Sequence, residues 1–212
     1  MLQIVISIDE STAFLFGIIE KLKARSIPCN VIEIHPTQKS YDNGFKILSE
    51  LDKKSFILFL GHGQSDKLYG GEDLQTFPKK PFIKLKEMNI FCEQNLFLLS
   101  CNSRDLIKSS FRIARMNRSI GFGALPTSKE EVEQDNKLKE RRISLETIEE
   151  FKLIMVETIS ESITMFYDKS FNKLKDYLIL LIDKKINYAI LDNNNSNLAE
   201  LLFKMRNEIV LY

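Results

Sequence analysis

Two unbroken apolar runs stand near the middle of the chain, Phe56 to Leu60 and Leu96 to Leu99. Each closes on a short polar stretch, Gly61-His62-Gly63 after the first and Ser100-Cys101-Asn102-Ser103 after the second. Runs of this kind suit strands buried on both faces, as in a parallel sheet covered by helices. The chain before them keeps the same rhythm. Gln3 to Ile8 predicts a first strand, and Asp9, Ser11 and Thr12 supply side chains suited to capping a helix. Leu15, Ile18, Ile19 and Leu22 then recur at helical spacing. Pro28 stops that helix, Val31 to Ile34 predicts a second strand, and residues 39–51 predict a second helix in which Gly44 is a weak point. This alternation predicts right-handed crossover units and a mostly parallel sheet.

Beyond His62, residues 64–81 are rich in Gly, Pro and polar side chains and predict a long loop, of the sort that is functional or mobile. Residues 82–91 predict a helix. Residues 105–116 predict another, with Leu106, Ser109, Ser110 and Ile113 facing inward. Ser119 to Ala124 predicts a fifth strand. From Lys129 to Arg142 there are ten charged residues, and only Val132 and Leu138 are sizeable apolar ones. The segment 128–142 therefore predicts a solvated loop or exposed helix face within the domain. Ile148 to Phe166, Phe171 to Ile190 and Leu198 to Met205 predict three helices, and Ile209 to Leu211 a closing strand. No internal repeat interrupts the pattern, which predicts one α/β domain over residues 1–212, built as three α/β/α layers.

Composition narrows the function classes. Lys and Arg number 30 against 29 Asp and Glu, a formal charge of +1, which gives no basic surplus for a nucleic-acid partner. The three cysteines, Cys29, Cys92 and Cys101, form no CxxC pair and no Cys/His cluster, which argues against a disulfide framework and against a metal site. No apolar run approaches the length of a membrane span, and the amino terminus lacks the features of a leader. The expectation is a cytoplasmic protein with neither membrane contact nor cofactor.

Chemistry then centres on two residues. Side chains just past the carboxyl ends of neighbouring parallel strands converge on one crevice, which would bring a histidine, His62, to a cysteine, Cys101: a nucleophile and its base. His35, at the end of the second strand, is the competing base. Cys29 and Cys92 read as buried fillers.

With these residues in place, the chain resembles the caspase-like cysteine peptidases, and most closely their prokaryotic CHAT-domain branch. The resemblance is carried by the strand ending in His62-Gly63, the strand ending in Ser100-Cys101-Asn102-Ser103, SIGFGAL at 119–125 and FYDKSF at 166–171. It implies a caspase-like fold and a cysteine endopeptidase with His62 and Cys101 as the catalytic pair. The backbone N–H groups of Gly63 and Cys101 are the implied oxyanion donors. It further implies a protein substrate, a regulatory protein partner and a place in bacterial signalling or antiviral defence. A non-catalytic relative acting as an interaction module is the alternative. Acidic residues after the first strand, Asp9 and Glu10, are expected to pair with a basic P1 side chain, with Asp66 as a second candidate. Gly121 and Gly123 are expected to let an extended substrate pair with the fifth strand.

Overall fold

The computed structural model describes residues 1–212. Nine strands are present: β1 Leu2–Ser7, β2 Cys29–Ile34, β3 Phe56–Leu60, β4 Gly63–Gln64, β5 Lys67–Tyr69, β6 Pro81–Lys84, β7 Asn95–Leu99, β8 Arg118–Gly121 and β9 Val210–Leu211. The α-helices are α1 Phe16–Ala24, α2 Gln38–Ser49, α3 Ser103–Ser110, α4 Lys129–Gln134, α5 Asn136–Glu140, α6 Leu145–Phe166, α7 Phe171–Leu191 and α8 Ser196–Asn207. Six strands form the central sheet in the order β2-β1-β3-β7-β8-β9. The first five are parallel and β9 runs antiparallel to β8.

The apolar runs fall where a two-sided burial is needed. β1, β3 and β7 occupy inner positions, and along them alternate residues point to opposite faces. Leu2, Ile4, Ile6, Leu58, Leu60, Phe97 and Leu99 join one core with α1, α6, α7 and α8. Val5, Ile57, Phe59, Leu96 and Leu98 join a second core with α2, α3 and the strand β6. Three layers result, as the sequence predicts. Each such side chain taken fully from water contributes roughly 1.5–3 kcal/mol, so the strands that carry His62 and Cys101 are firmly anchored from both faces. No helix is long and apolar enough to cross a membrane.

Several predicted elements differ. The segment after His62 is a loop at residues 70–80, as predicted, but it is framed by β4, β5 and β6, which make a small antiparallel sheet. Residues 82–91 form β6 and a 3₁₀ turn, Leu85–Ile90, in place of a helix. α3 ends at Ser110, and its buried side is Leu106, Ile107 and Ser110, whereas Ser109 and Ile113 are exposed. The charged segment contains α4 and α5, which turn Val132 and Leu138 into the larger core, while Lys129, Glu130, Glu133, Lys137, Lys139 and Glu140 are exposed. Gly44 is no flaw in α2. A Cβ there would collide with Ile34, so glycine is what lets α2 lie close against β2.

Candidate active site

The register of the central sheet brings three loops together. Leu60 of β3 pairs with Leu99 of β7 and with Ile6 of β1. His62 and Cys101 therefore each lie two residues past paired positions on adjacent strands, which run about 4.8 Å apart. Asp9 lies three residues past Ile6 on the other side. The sheet thus sets Asp9, His62 and Cys101 in that order across its carboxyl edge.

His62 is held at both backbone and ring. Its carbonyl accepts from the N–H of Tyr69 at 3.0 Å, which ties it to the small sheet. Gly63 is glycine because the following turn packs directly on the cysteine loop. A Cβ there would lie 2.5 Å from Ser100 Oγ and 2.9 Å from the Cys101 carbonyl oxygen. The ring is 18% exposed, and its Nε2 lies 2.7 Å from Ser11 Oγ and 3.4 Å from Asp9 Oδ1. The Ser11 hydroxyl donates its one hydrogen to Asp9 Oδ1 at 2.7 Å. Its oxygen can therefore only accept from the ring, and a carboxylate can only accept. Both contacts assign the hydrogen to Nε2 and leave Nδ1, which has no protein partner, with its lone pair free.

The Asp9 side chain is 3% exposed and also accepts from the Thr12 N–H at 3.0 Å. Burial works against its charge, yet the hydrogen bonds from His62, Ser11 and Thr12 together hold its carboxyl below the usual carboxylate range. Its Oδ2 is buried without a partner. Glu72 completes this side, with Oε1 4.0 Å from Nε2 and 3.6 Å from Lys79 Nζ. The loop bearing Glu72 is fastened by Gly70 and Gly71, which have no room for a Cβ against Tyr41, Ile34 and Ile8. The Tyr41 hydroxyl donates to the Gly71 carbonyl at 2.9 Å.

Cys101 sits at a tight strand-to-helix turn. Asn102 follows it with φ +56°, a left-handed conformation that asparagine tolerates. Its N–H donates to the Gly123 carbonyl at 2.8 Å. The buried Ser103 hydroxyl donates to the Leu98 carbonyl and accepts from the Phe122 N–H. The Asn-Ser pair after the cysteine thus has a plain local job, fixing this turn. The thiol donates to the Leu125 carbonyl and accepts from the Leu125 N–H, each at 3.4 Å. No hydrogen bond joins Sγ to the His62 ring. Burial first, and then the Glu131 carboxylate, push the thiol up to about 11, so it is protonated at neutral pH. The Cys101 N–H engages no protein acceptor.

His62 and Cys101 line one open cleft of about 460 Å³ with Gly63, Lys79, Glu131 and Asp135. Both also line a small cavity of about 30 Å³ with Ser11 and Met155. The acidic residues proposed from sequence for substrate contact stand elsewhere. Asp9 is committed to His62. Glu10 lines a second recess with Asp9, Ser11 and Glu72, outside the cleft that holds Cys101. Asp66 stands exposed in the β4–β5 turn, paired with Lys67 at 3.3 Å. The acids at the cleft are Glu131 and Asp135, from the segment read as solvent-facing. The first accepts from the Thr127 and Ser128 N–H groups and the second pairs with Lys204 at 2.7 Å.

Gly121 offers no edge to an extended substrate, because it pairs with Leu98 on one side and Val210 on the other. A Cβ on Gly123 would strike the Glu208 carboxylate. These two glycines serve internal packing. His35 is exposed just past the edge strand β2 and paired with Glu33 at 3.1 Å, far from Cys101 in strand order. Ser11, Glu72 and Glu131 escaped the sequence reading, since their roles depend on loop contacts that no local spacing encodes. Comparison of the chain with protein-family models, curated proteins and solved structures gives no match.

Proposed function

We propose that the chain is a caspase-like cysteine endopeptidase, with Cys101 as nucleophile, His62 as base and acid, and Asp9 as the residue that positions His62. One observation carries the reading. The imidazole stands between Asp9 and the Cys101 loop with Nε2 bound to Ser11 and Asp9, so that Nδ1 is the nitrogen left to accept a proton. In this reading a peptide in the cleft displaces the thiol from Leu125. The Cys101 proton passes to Nδ1 as sulfur attacks the peptide carbonyl. The Cys101 N–H, free of other partners, receives the developing oxyanion. His62 then returns the proton to the leaving amine, and water activated by the same nitrogen hydrolyses the thioester. Asp9 stabilises the imidazolium formed midway.

The cleft carries both signs, Lys79 and Lys204 against Glu131 and Asp135, so the P1 preference is to be read from a panel. The substrate is a protein, and the resemblance in sequence supports a cytoplasmic role in bacterial signalling or defence under a regulatory partner. A second reading, a non-catalytic interaction module of the same fold, is favoured by the absence of a thiol–imidazole bond and by the raised thiol. Peptidyl acyloxymethyl-ketone probes with Arg, Lys, Asp or Leu at P1 separate the two. Labelling of wild type that is lost in Cys101→Ala and in His62→Ala supports the peptidase. No labelling of wild type by any of the four, with or without cell lysate, supports the module.

A further inference from the structure

The geometry points to a divalent-cation site, suited to zinc, formed by Asp9, His62 and Glu72 at the Nε2 side of the imidazole; filled, it silences the base. The switching role rests on the peptidase reading, whereas the site itself does not.

One ligand atom from each of the three residues lies within 4.8 Å of the other two, with Nε2 to Asp9 Oδ1 at 3.4 Å and to Glu72 Oε1 at 4.0 Å. Zinc holds nitrogen and carboxylate oxygen at about 2.0–2.2 Å, so ligands around it stand about 3.3–3.6 Å apart. The present spacing closes onto an ion with small side-chain movements. An independent sign is the Asp9 carboxylate, almost wholly buried, whose Oδ2 has no partner at all. Buried polar atoms are nearly always satisfied, and this one belongs to the same carboxylate that faces Nε2. Ser11 Oγ, 2.7 Å from both Nε2 and Oδ1, supplies a further oxygen. Two carboxylates offset the charge of a divalent ion. The imidazole selects a zinc-like metal over magnesium or calcium, which prefer oxygen alone.

The ligands come from loops after β1, β3 and β5, so no motif spacing announces them. Lys79 now occupies Glu72 at 3.6 Å and has to release it. The consequence for chemistry follows from the ring. A metal on Nε2 takes the lone pair there and leaves the imidazole hydrogen on Nδ1. That nitrogen then has no lone pair for the Cys101 proton.

The test uses full-length Cys29→Ser/Cys92→Ser/Cys101→Ala protein, in which no thiol can bind metal. Zinc is titrated by calorimetry and cobalt by visible absorption, with circular-dichroism melts to confirm folding of each variant. The expected result is one saturable equivalent, weakened at least about tenfold by Glu72→Gln and lost in His62→Ala. No saturable binding in the micromolar to millimolar range overturns the site, as does binding unchanged by Glu72→Gln. In the chain with its cysteines intact, zinc is expected to lower probe labelling, and Glu72→Gln to shift the half-inhibiting zinc concentration by the factor it shifts binding. Labelling undiminished by bound zinc overturns the switch. Zinc binding without any labelling leaves the site standing and counts against the peptidase reading alone.

Discussion

His62 and Cys101 occupy equivalent places, two residues beyond paired ends of β3 and β7, and their surroundings are opposite. The histidine lies among polar groups: Ser11 and Asp9 fix its ring and assign its hydrogen, and Glu72 stands 4.0 Å away. The cysteine lies in a drier place, its sulfur held only by the Leu125 backbone and its ionisation opposed by burial and by Glu131. One arm is held with its ring hydrogen already assigned to Nε2. The other is held as a neutral thiol until something displaces it. In the proposed peptidase reading such a pair would work by general-base catalysis during attack, with no resting thiolate–imidazolium ion pair.

The largest effect should come from removing the support of the base. Asp9→Ala leaves the ring without its carboxylate, and labelling by the preferred probe is expected to fall about a hundredfold or more, with Asp9→Asn in between. Equal labelling of wild type and Asp9→Ala would return Asp9 to a turn-capping role. Next comes the contact between the two arms. In Gly63→Ala the new methyl meets Ser100 and the Cys101 carbonyl, and overpacking of this kind costs about 1–3 kcal/mol, to be read from guanidinium unfolding.

The protonated thiol gives a pH signature. Iodoacetamide modification of Cys101 should rise about tenfold per pH unit above pH 8 as thiolate accumulates, and level off near 11. A plateau already below pH 7 would reveal a preformed ion pair. Because the folded thiol is the harder to ionise, stability relative to Cys101→Ala should be constant below about pH 8.5, the unfolded thiol's value. It should then decline as pH rises towards 11. The smallest effect is expected at Ser100, whose buried hydroxyl has no partner. Ser100→Ala should leave stability unchanged or raise it by up to about 1 kcal/mol, measured by the same unfolding experiment.

These expectations also mark what the sequence could carry. The central strands were legible because burial on both faces leaves an uninterrupted apolar run, and α1, α2, α6, α7 and α8 because each keeps a one-sided apolar stripe. That His62 and Cys101 would face one cleft followed from parallel strands and matched ends. What lay beyond reach were contacts made in three dimensions by single polar residues. Asp9 reads as a helix cap or a substrate acid until the β1 loop is placed beside β3, where it meets His62. Glu131 and Asp135 sit in a run of charges that looks solvated, although Val132 and Leu138 pin that run against the core and turn its acids to the cleft. The small sheet β4–β6 was missed because strands of two to four residues carry too little periodicity to detect.

The most direct test of the account is the hydrogen on the His62 ring. The chain has two histidines, so long-range proton–nitrogen correlation spectra of nitrogen-15-labelled protein, with His35→Ala for assignment, resolve the tautomer. The account predicts a neutral ring with its hydrogen on Nε2 in wild type, and loss of that preference in Asp9→Ala. A neutral wild-type ring with its hydrogen on Nδ1 would carry its lone pair on Nε2, the nitrogen held by Ser11 and Asp9, leave Nδ1 unable to take the Cys101 proton, and contradict the proposed base.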